Sequence, residues 1–388
     1  MSKKKIVISG GGFAGTSALR KLAELEKHWQ AEYEVFLVDR KENTEFLPLL
    51  PDLISGRMPP DALRTSLSEE CRKYGARFIR DSITELRPDE NKVVLEGGTI
   101  EYEYLILAAG AENNFFGNTS ARRNCYKLYS VDEGGAIRKA LIAGAGEAAL
   151  NVVVVGGGYT GIEAATNVHR LFRELEKPVN IVMVEKAPDI LMMTPKWMRK
   201  YSRRELNRLN IKVYCGDGLA EVSDSKAVLD SGRTIENAFC IWSAGVKASS
   251  FIGKTGFAKE KTRVRVDPEL RPEGHDRIFC AGDAASFSSS ADGEKPIRMA
   301  VMFAIGQGKT AAENVVRSIT GKRLKRYVPR DLGYLIPFAT GKAPGVVMGM
   351  RVRGRPGFWM HYLMCVYRSS FRNGLAMIRF WLTGKETR

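Results

Sequence analysis

An α/β fold of two parallel-sheet βαβ modules, the second inserted within the first and followed by an amphipathic C-terminal helix, is what this 388-residue sequence predicts. Three observations carry it: a pair of glycine fingerprints, an acidic residue closing a second apolar run after each, and a basic aromatic tail. The fingerprints are Ile6-Val-Ile-Ser-Gly-Gly-Gly-Phe-Ala-Gly15 and Val152-Val-Val-Val-Gly-Gly-Gly-Tyr-Thr-Gly161. Each sits where an apolar β run breaks into a helical pattern. Such a junction needs glycine for the tight turn at Gly10 and Gly156, for backbone approach to a pyrophosphate at Gly12 and Gly158, and for close helix packing at Gly15 and Gly161. In Tyr33-Glu-Val-Phe-Leu-Val-Asp39 and Val179-Asn-Ile-Val-Met-Val-Glu185 the second strand ends in a carboxylate able to accept from ribose hydroxyls. Two Rossmann-like dinucleotide-binding domains follow.

Along the chain, Met1-Ser-Lys-Lys-Lys5 precedes an apolar run only a strand long, so no signal peptide is expected. After Asp39 comes a proline-rich loop, Glu45-Phe-Leu-Pro-Leu-Leu-Pro-Asp52, and the first module closes at Tyr102-Glu-Tyr-Leu-Ile-Leu-Ala-Ala-Gly110. The second closes in the same way at Ala238-Phe-Cys-Ile-Trp-Ser-Ala-Gly-Val246, which extends the internal similarity beyond the glycines. A strand ending in Gly-Asp, Arg277-Ile-Phe-Cys-Ala-Gly-Asp283, and a helical stretch from about Ile297 to Ile319 come next. Placing that strand against the first module makes the second an insertion. The expected boundaries are 1–122 and 259–325 for the first domain, 123–258 for the second and 326–388 for a membrane-association region.

A hydrophobic content of 44 % suffices for substantial cores, and the formal charge of +16 calls for an anionic partner. From Ser318 to Arg388, 14 Lys and Arg stand against Asp331 and Glu386, so +12 of the charge lies in that tail. No uninterrupted apolar stretch reaches the roughly 18 residues of a spanning helix. The six cysteines include no close pair and the four histidines are scattered, so neither a disulfide framework nor a metal site is expected. On a helix, His361, Cys365, Arg368, Arg372 and Arg379 fall within a stripe of roughly 60° while aromatic and aliphatic residues cover the rest. That pattern, with Arg351, Arg353 and Arg355 beside it, suits a helix lying in an anionic membrane interface, its polar edge at the headgroups. Gly374 interrupts it, so two shorter helices are an alternative.

Together these features resemble the type II NADH dehydrogenases, NADH:quinone oxidoreductases of the two-dinucleotide-binding-domain flavoproteins. Further matches are Asn43-Thr-Glu-Phe-Leu-Pro-Leu-Leu-Pro-Asp-Leu-Ile-Ser-Gly56, Gly161-Ile-Glu163, Trp242-Ser-Ala-Gly-Val-Lys247, Val264-Arg-Val-Asp-Pro268 and Gln307-Gly-Lys309. The resemblance implies non-covalent FAD on the first module. Asp39 would hold the adenosine ribose, Pro48 would lie near the flavin ring, Ala109 and Gly110 would pass the pyrophosphate, and Gly282 and Asp283 would meet the ribityl chain. Phe13, Ala14, Arg40 and Ala300 are expected at the same site. The second module would take NADH as co-substrate, with Tyr159, Ala244 and Gly245 near the glycines and Glu185 at the ribose, disfavouring the 2′-phosphate of NADPH. Glu163 looks like the family's glutamate near nicotinamide and flavin, and equally fits a helix N-terminal carboxylate. Hydride would pass from nicotinamide to flavin and two electrons onward to a quinone, without proton pumping, in a peripheral protein on the cytoplasmic membrane face. The resemblance also implies dimerisation, to which the aromatic tail could contribute.

Three departures bear on this. The family's Ala-Thr-Gly appears as Ala108-Ala-Gly110, two glutamines four apart beside the quinone appear as Met302 and Gly306, and a second acid one turn after Glu163 appears as Asn167. A sulfide:quinone oxidoreductase is the alternative enzyme, with Cys125, Cys280 and Cys365 as its candidate thiols. A redox-dependent binding protein resembling the apoptosis-inducing flavoproteins is the alternative from another class, but a basic tail interleaved with large apolar residues suits lipid better than nucleic acid.

Overall fold

The structure, a computed structural model, describes residues 3–25, 27–224, 226–288 and 296–368 together with Gly374, Leu375, Met377 and Ile378. In chain order the strands of its two main sheets are β1 (Lys4–Ser9), β2 (Tyr33–Asp39), β3 (Arg77–Arg80), β4 (Tyr104–Leu107), β5 (Tyr126–Lys127), β6 (Leu150–Val155), β7 (Val179–Glu185), β8 (Lys212–Cys215), β9 (Ala238–Trp242) and β10 (Ile278–Cys280). The helices that matter are α1 (Phe13–Glu24), α2 (Leu50–Ser55), α3 (Val131–Gly144), α4 (Tyr159–Glu174), α5 (Val301–Ile319) and α6 (Arg355–Arg368). Two compact units result, one of residues 1–44, 65–112 and 246–331, the other of 45–64, 113–245 and 332–388.

In the first unit β10, β4, β1, β2 and β3 lie side by side in that order, all parallel. β10 pairs with β4, Cys280 opposite Leu107, so the Gly-Asp strand does return to the first module. Both faces of this sheet are buried, which is why its strands read as near-continuous apolar runs. Ile6, Ile8, Ile106 and Phe279 face one core, and Val7, Leu105, Leu107 and Ile278 face the other. α1 and α5 approach so closely that a Cβ on Gly308 would stand 2.1 Å from the Ala14 carbonyl oxygen.

The second unit repeats the plan with β5, β9, β6, β7 and β8, again all parallel. Each unit also carries a three-stranded antiparallel sheet at the equivalent place in the chain, Ile83–Arg87 with Lys92–Leu95 and Gly98–Glu101, and Leu219–Val222 with Lys226–Leu229 and Thr234–Glu236. The edge strand differs in origin: β10 comes last in the first unit, whereas β5 comes first in the second.

The boundaries differ from those expected. They fall at 112 and 245, and both the proline-rich loop segment 45–64 and the C-terminal region cluster with the second unit. Burial explains the loop's allegiance. Leu50, Leu53 and Ile54 of α2 are buried, a Cβ on Gly134 of α3 would meet Leu53 at 2.7 Å, and Arg138 of α3 donates to the Ile54 carbonyl at 3.1 Å. Hydrogen bonds tie the C-terminal region in, Ala339 N to Thr166 Oγ1 at 3.2 Å and Lys342 Nζ to Glu205 Oε2 at 2.9 Å.

α6 runs from Arg355 to Arg368, and Arg372 and Arg379 of the expected stripe lie outside the described residues. Its orientation corrects the expected one. Cys365 is buried and His361 is half-buried, so this part of the polar stripe faces the protein, while Trp359, Leu363 and Tyr367 are 63 %, 68 % and 82 % exposed. No helix among the described residues is long and apolar enough to cross a membrane.

Candidate functional site

The two units carry the same cradle, at the carboxyl end of β1 in the first and of β6 in the second. Gly10 and Gly156 both have φ of +109°, a left-handed value that strains any other residue, and their neighbours leave no room for a side chain. A Cβ would lie 2.3 Å from the Ala108 carbonyl oxygen at Gly10 and 2.6 Å from the Ala244 Cα at Gly156. At Gly15 and Gly161 a Cβ would fall 1.8 and 1.9 Å from the carbonyl oxygens of Gly10 and Gly156. Gly12 and Gly158 are different. Their φ values of −74° and −79° suit any residue, and nothing lies within 4 Å of a Cβ there. Only a ligand would make glycine matter at these two exposed positions, each capping the N-terminus of a helix whose free N–H groups and dipole favour an anion.

The carboxylates repeat the symmetry. Asp39 Oδ2 accepts from Gly11 N and Glu185 Oε2 from Gly157 N, both at 2.6 Å. Their second oxygens accept from Lys41 N at 2.8 Å and Ala187 N at 2.7 Å. Two amides therefore fix each carboxylate beside its glycine turn, leaving lone pairs for a further donor.

In the first unit a cavity of about 340 Å³ is lined by Gly10, Asp39, Arg40, Asp81, Ala109 and Ser250. Gly110 has φ of +65° with open space around it. Gly282, at φ +74°, donates from its N–H to Gln307 Oε1 at 2.7 Å. Burial pushes the neighbouring Asp283 carboxyl up to about 6, with Arg263 opposing. Ala14 is packed against Gly308, Phe13 is half-buried, and Ala300 caps α5 in an extended conformation. Pro48 falls in the segment that clusters with the second unit. At Gly306, where the resemblance implies a glutamine, a Cβ would stand 3.2 Å from the Tyr327 ring, so that buried tyrosine occupies the space.

In the second unit a cavity of about 750 Å³ is lined by Gly156, Glu185, Lys186, Asp230, Trp242 and Ala244. Lys186 Nζ stands 3.6 Å from Asp230 Oδ2, which offsets its charge beside Glu185. Gly245 lies close enough to Phe116 that a Cβ would meet the ring at 3.0 Å, and Tyr159 stacks on Tyr334 at 5.5 Å.

One cluster is not visible in the sequence. Asp52 of α2 accepts from Tyr362 Oη of α6 at 2.6 Å and from Asn167 Nδ2 of α4 at 3.2 Å, and lies 3.6 Å from Arg57 Nη1. Asn167 also donates to the Glu163 carbonyl at 3.0 Å and accepts from Ser55 Oγ at 2.5 Å. Burial first, and then the Asp52 charge, push the Glu163 carboxyl well above its usual range. At Asn167, where the resemblance implies an acid, the side chain instead donates to a carboxylate from α2. The signal for Asp52 was an acidic residue in the apolar run Leu47–Leu53; nothing marked Tyr362 among its aromatic neighbours.

The candidate thiols behave as core residues. Burial pushes Cys280 and Cys365 up, and hydrogen bonding with Cys240 followed by burial does the same for Cys125. Thiols held protonated in this way are poor nucleophiles.

A family model for the pyridine nucleotide-disulphide oxidoreductases matches residues 4–308. The chain belongs to that family. It is 28 % identical over 330 residues to an Arabidopsis thaliana protein named external alternative NAD(P)H-ubiquinone oxidoreductase B2, mitochondrial, covering 74 % of this chain and 55 % of the relative. With the type II NADH:quinone oxidoreductase of Staphylococcus haemolyticus it shares 22 % identity over 92 % of this chain and 93 % of the other. The chain therefore spans about half the length of the plant relative and nearly all of the bacterial one. A solved structure of NDH2 from Plasmodium falciparum in complex with NADH has the same fold, with a TM-score of 0.85 at 17 % identity and 99 % coverage of both chains.

Proposed function

We propose that this protein oxidises NADH through non-covalently bound FAD and passes two electrons to a quinone at a membrane surface. The paired cradles carry the reading: two open glycine approaches, each beside an anchored carboxylate, in a chain similar to NADH:quinone oxidoreductases. The first unit fits FAD. The space at Gly12 admits a pyrophosphate to the α1 N-terminus, Asp39 presents lone pairs to a ribose, and Gly110 leaves open space on the opposite strand end. The second unit fits NADH by the same logic through Gly158 and Glu185, and a carboxylate there repels a 2′-phosphate. Flavin, when bound, supplies the hydride acceptor and the two-electron relay. The protein's share is to orient the two cofactors, exclude water and hold a proton on Glu163, whose neutral carboxyl adds no charge to its surroundings.

For the membrane, the exposed Trp359, Leu363 and Tyr367 of α6 offer an apolar face and the exposed Arg351, Arg353 and Arg355 an anionic-lipid contact. Anaerobic mixing tests the reading. NADH should bleach a flavin band near about 450 nm, where protein-bound flavins absorb, and a short-chain quinone should restore it. A flavin band that NADH leaves intact would refute the donor assignment, and one that quinone fails to restore would refute the acceptor.

A further inference from the structure

The buried cluster around Asp52 joins three elements of the second unit: α2 with the following Arg57, α4, and the C-terminal helix α6. Glu163 is tied to it through the Asn167 amide, which donates both to Asp52 at 3.2 Å and to the Glu163 carbonyl at 3.0 Å, and the Asp52 charge acts on the Glu163 carboxyl; like charges so placed oppose each other's ionisation. Geometry decides which keeps the proton. Asp52 has the Tyr362 hydroxyl at 2.6 Å, the Asn167 amide at 3.2 Å and the Arg57 guanidinium at 3.6 Å, whereas no hydrogen bond reaches the Glu163 carboxyl among the described residues. The negative charge therefore belongs on Asp52 and the proton on Glu163.

The other groups in the cluster leave this balance in place. His361 faces Asp52, Arg57 and Arg368, and burial pushes it down to about 4, so it is neutral at physiological pH. Cys365 faces Asp52, Glu163 and Arg368, and burial holds its thiol protonated. Tyr362 is 2 % exposed and stays a donor, since burial and the Asp52 charge raise it well above its ordinary value. Arg57 also lies over the Phe358 and Tyr362 rings at 4.9 and 5.0 Å, which fixes its charge against α6 as well.

We propose that Asp52 and Tyr362 are positioning residues that keep a transferable proton on Glu163, so that the seating of α6 governs whether that proton is held. The use of the proton rests on the function proposed above. Oxidation of NADH by a quinone consumes one proton beyond the hydride, and Glu163 can give that proton and regain one from solvent, leaving no net change on the protein.

The experiment is an infrared pH titration of the full-length protein, with Glu163→Gln assigning the protonated-carboxyl band. The wild type should keep the band at neutral pH. Asp52→Asn removes the opposing charge and should lower the band's midpoint by about one pH unit or more, and Tyr362→Phe, which weakens the hold on Asp52 while keeping the ring, should lower it by less. A wild type without the band at neutral pH, or an Asp52→Asn midpoint equal to the wild type's, overturns the proposal. A midpoint unmoved in Tyr362→Phe overturns the role of α6. The readout needs neither NADH nor quinone, so a failure of the proposed activity would leave it standing, and the reverse also holds.

Discussion

Replacing Gly158 and Gly161 separately by alanine distinguishes a glycine kept for a ligand from one kept for the fold. At Gly158 the backbone angles suit alanine and nothing lies within 4 Å of the new methyl, so the apo-protein should lose no more than about 0.5 kcal/mol. The same methyl projects into the path by which a pyrophosphate would reach the α4 N-terminus. An obstructing methyl costs about 1–3 kcal/mol, or roughly 5- to 150-fold in the NADH dissociation constant. At Gly161 the methyl falls 1.9 Å from the Gly156 carbonyl oxygen and 2.9 Å from Ser243 Oγ, so the turn itself must move. The cost should reach about 3 kcal/mol, which lowers the melting temperature of a unit of this size by roughly 6–12 °C. Thermal unfolding without ligand and NADH titration by tryptophan fluorescence give the two numbers. Wild-type NADH binding by a normally folded Gly158→Ala would refute the ligand role of that glycine. An unchanged melting temperature in Gly161→Ala would refute the structural role of the other.

Gly12→Ala should fold normally yet retain less flavin on gel filtration, while NADH still binds the second unit; full flavin occupancy would contradict the first cradle. Asp283, raised to about 6 from an ordinary 3.8, favours the folded state fully below about pH 4 and loses that advantage as pH rises through 6. Urea unfolding of cofactor-free protein should therefore find Asp283→Asn more stable than wild type at pH 7, by up to about 3 kcal/mol, with the two converging below pH 4. Gly306→Gln should cost about 1–3 kcal/mol by displacing Tyr327, and much of that cost should vanish in the double variant with Tyr327→Ala; additive losses would count against the packing account. Trp359→Glu and Leu363→Glu should each weaken sedimentation with anionic vesicles at least about tenfold, and unchanged partitioning would exclude this face from the membrane contact.

The sheets were legible because both faces of each are buried. A strand covered on two sides reads as a continuous apolar run, and Tyr33–Asp39 and Val179–Glu185 have the bounds their sequence suggested. The glycine turns were legible for a steric reason that sequence spacing transmits directly. Unit boundaries were not, because the allegiance of residues 45–64 depends on which helices α2 meets, and the apolar pattern of Leu50, Leu53 and Ile54 says only that it meets some. The insertion could be read from one strand, Ile278–Cys280, because its partner had to be a sheet with an open edge. Of the site, the cradle residues were readable, whereas Asp52, Arg57 and Tyr362 converge from distant parts of the chain and share no spacing.

The C-terminal helix shows why polarity alone misplaced a face. His361 and Cys365 are polar on a largely apolar helix, so the hydrophobic pattern turns them outward. Asp52 and Arg57 reverse that preference. A buried carboxylate is costly unless donors surround it, and Tyr362, on the inward face, supplies one at 2.6 Å. Seating Tyr362 there fixes the helix rotation. Residues four and three apart differ by only about 40° and 60°, so Phe358, Tyr362 and Cys365 turn inward together while Trp359, Leu363 and Tyr367 turn out. A single helix thus presents one apolar face to its surroundings and one donor to a carboxylate that opposes Glu163. A contact that rocked the outer face would strain the Tyr362–Asp52 bond, and on the membrane contact and the held proton proposed above, that strain would be a lipid surface's physical route to Glu163.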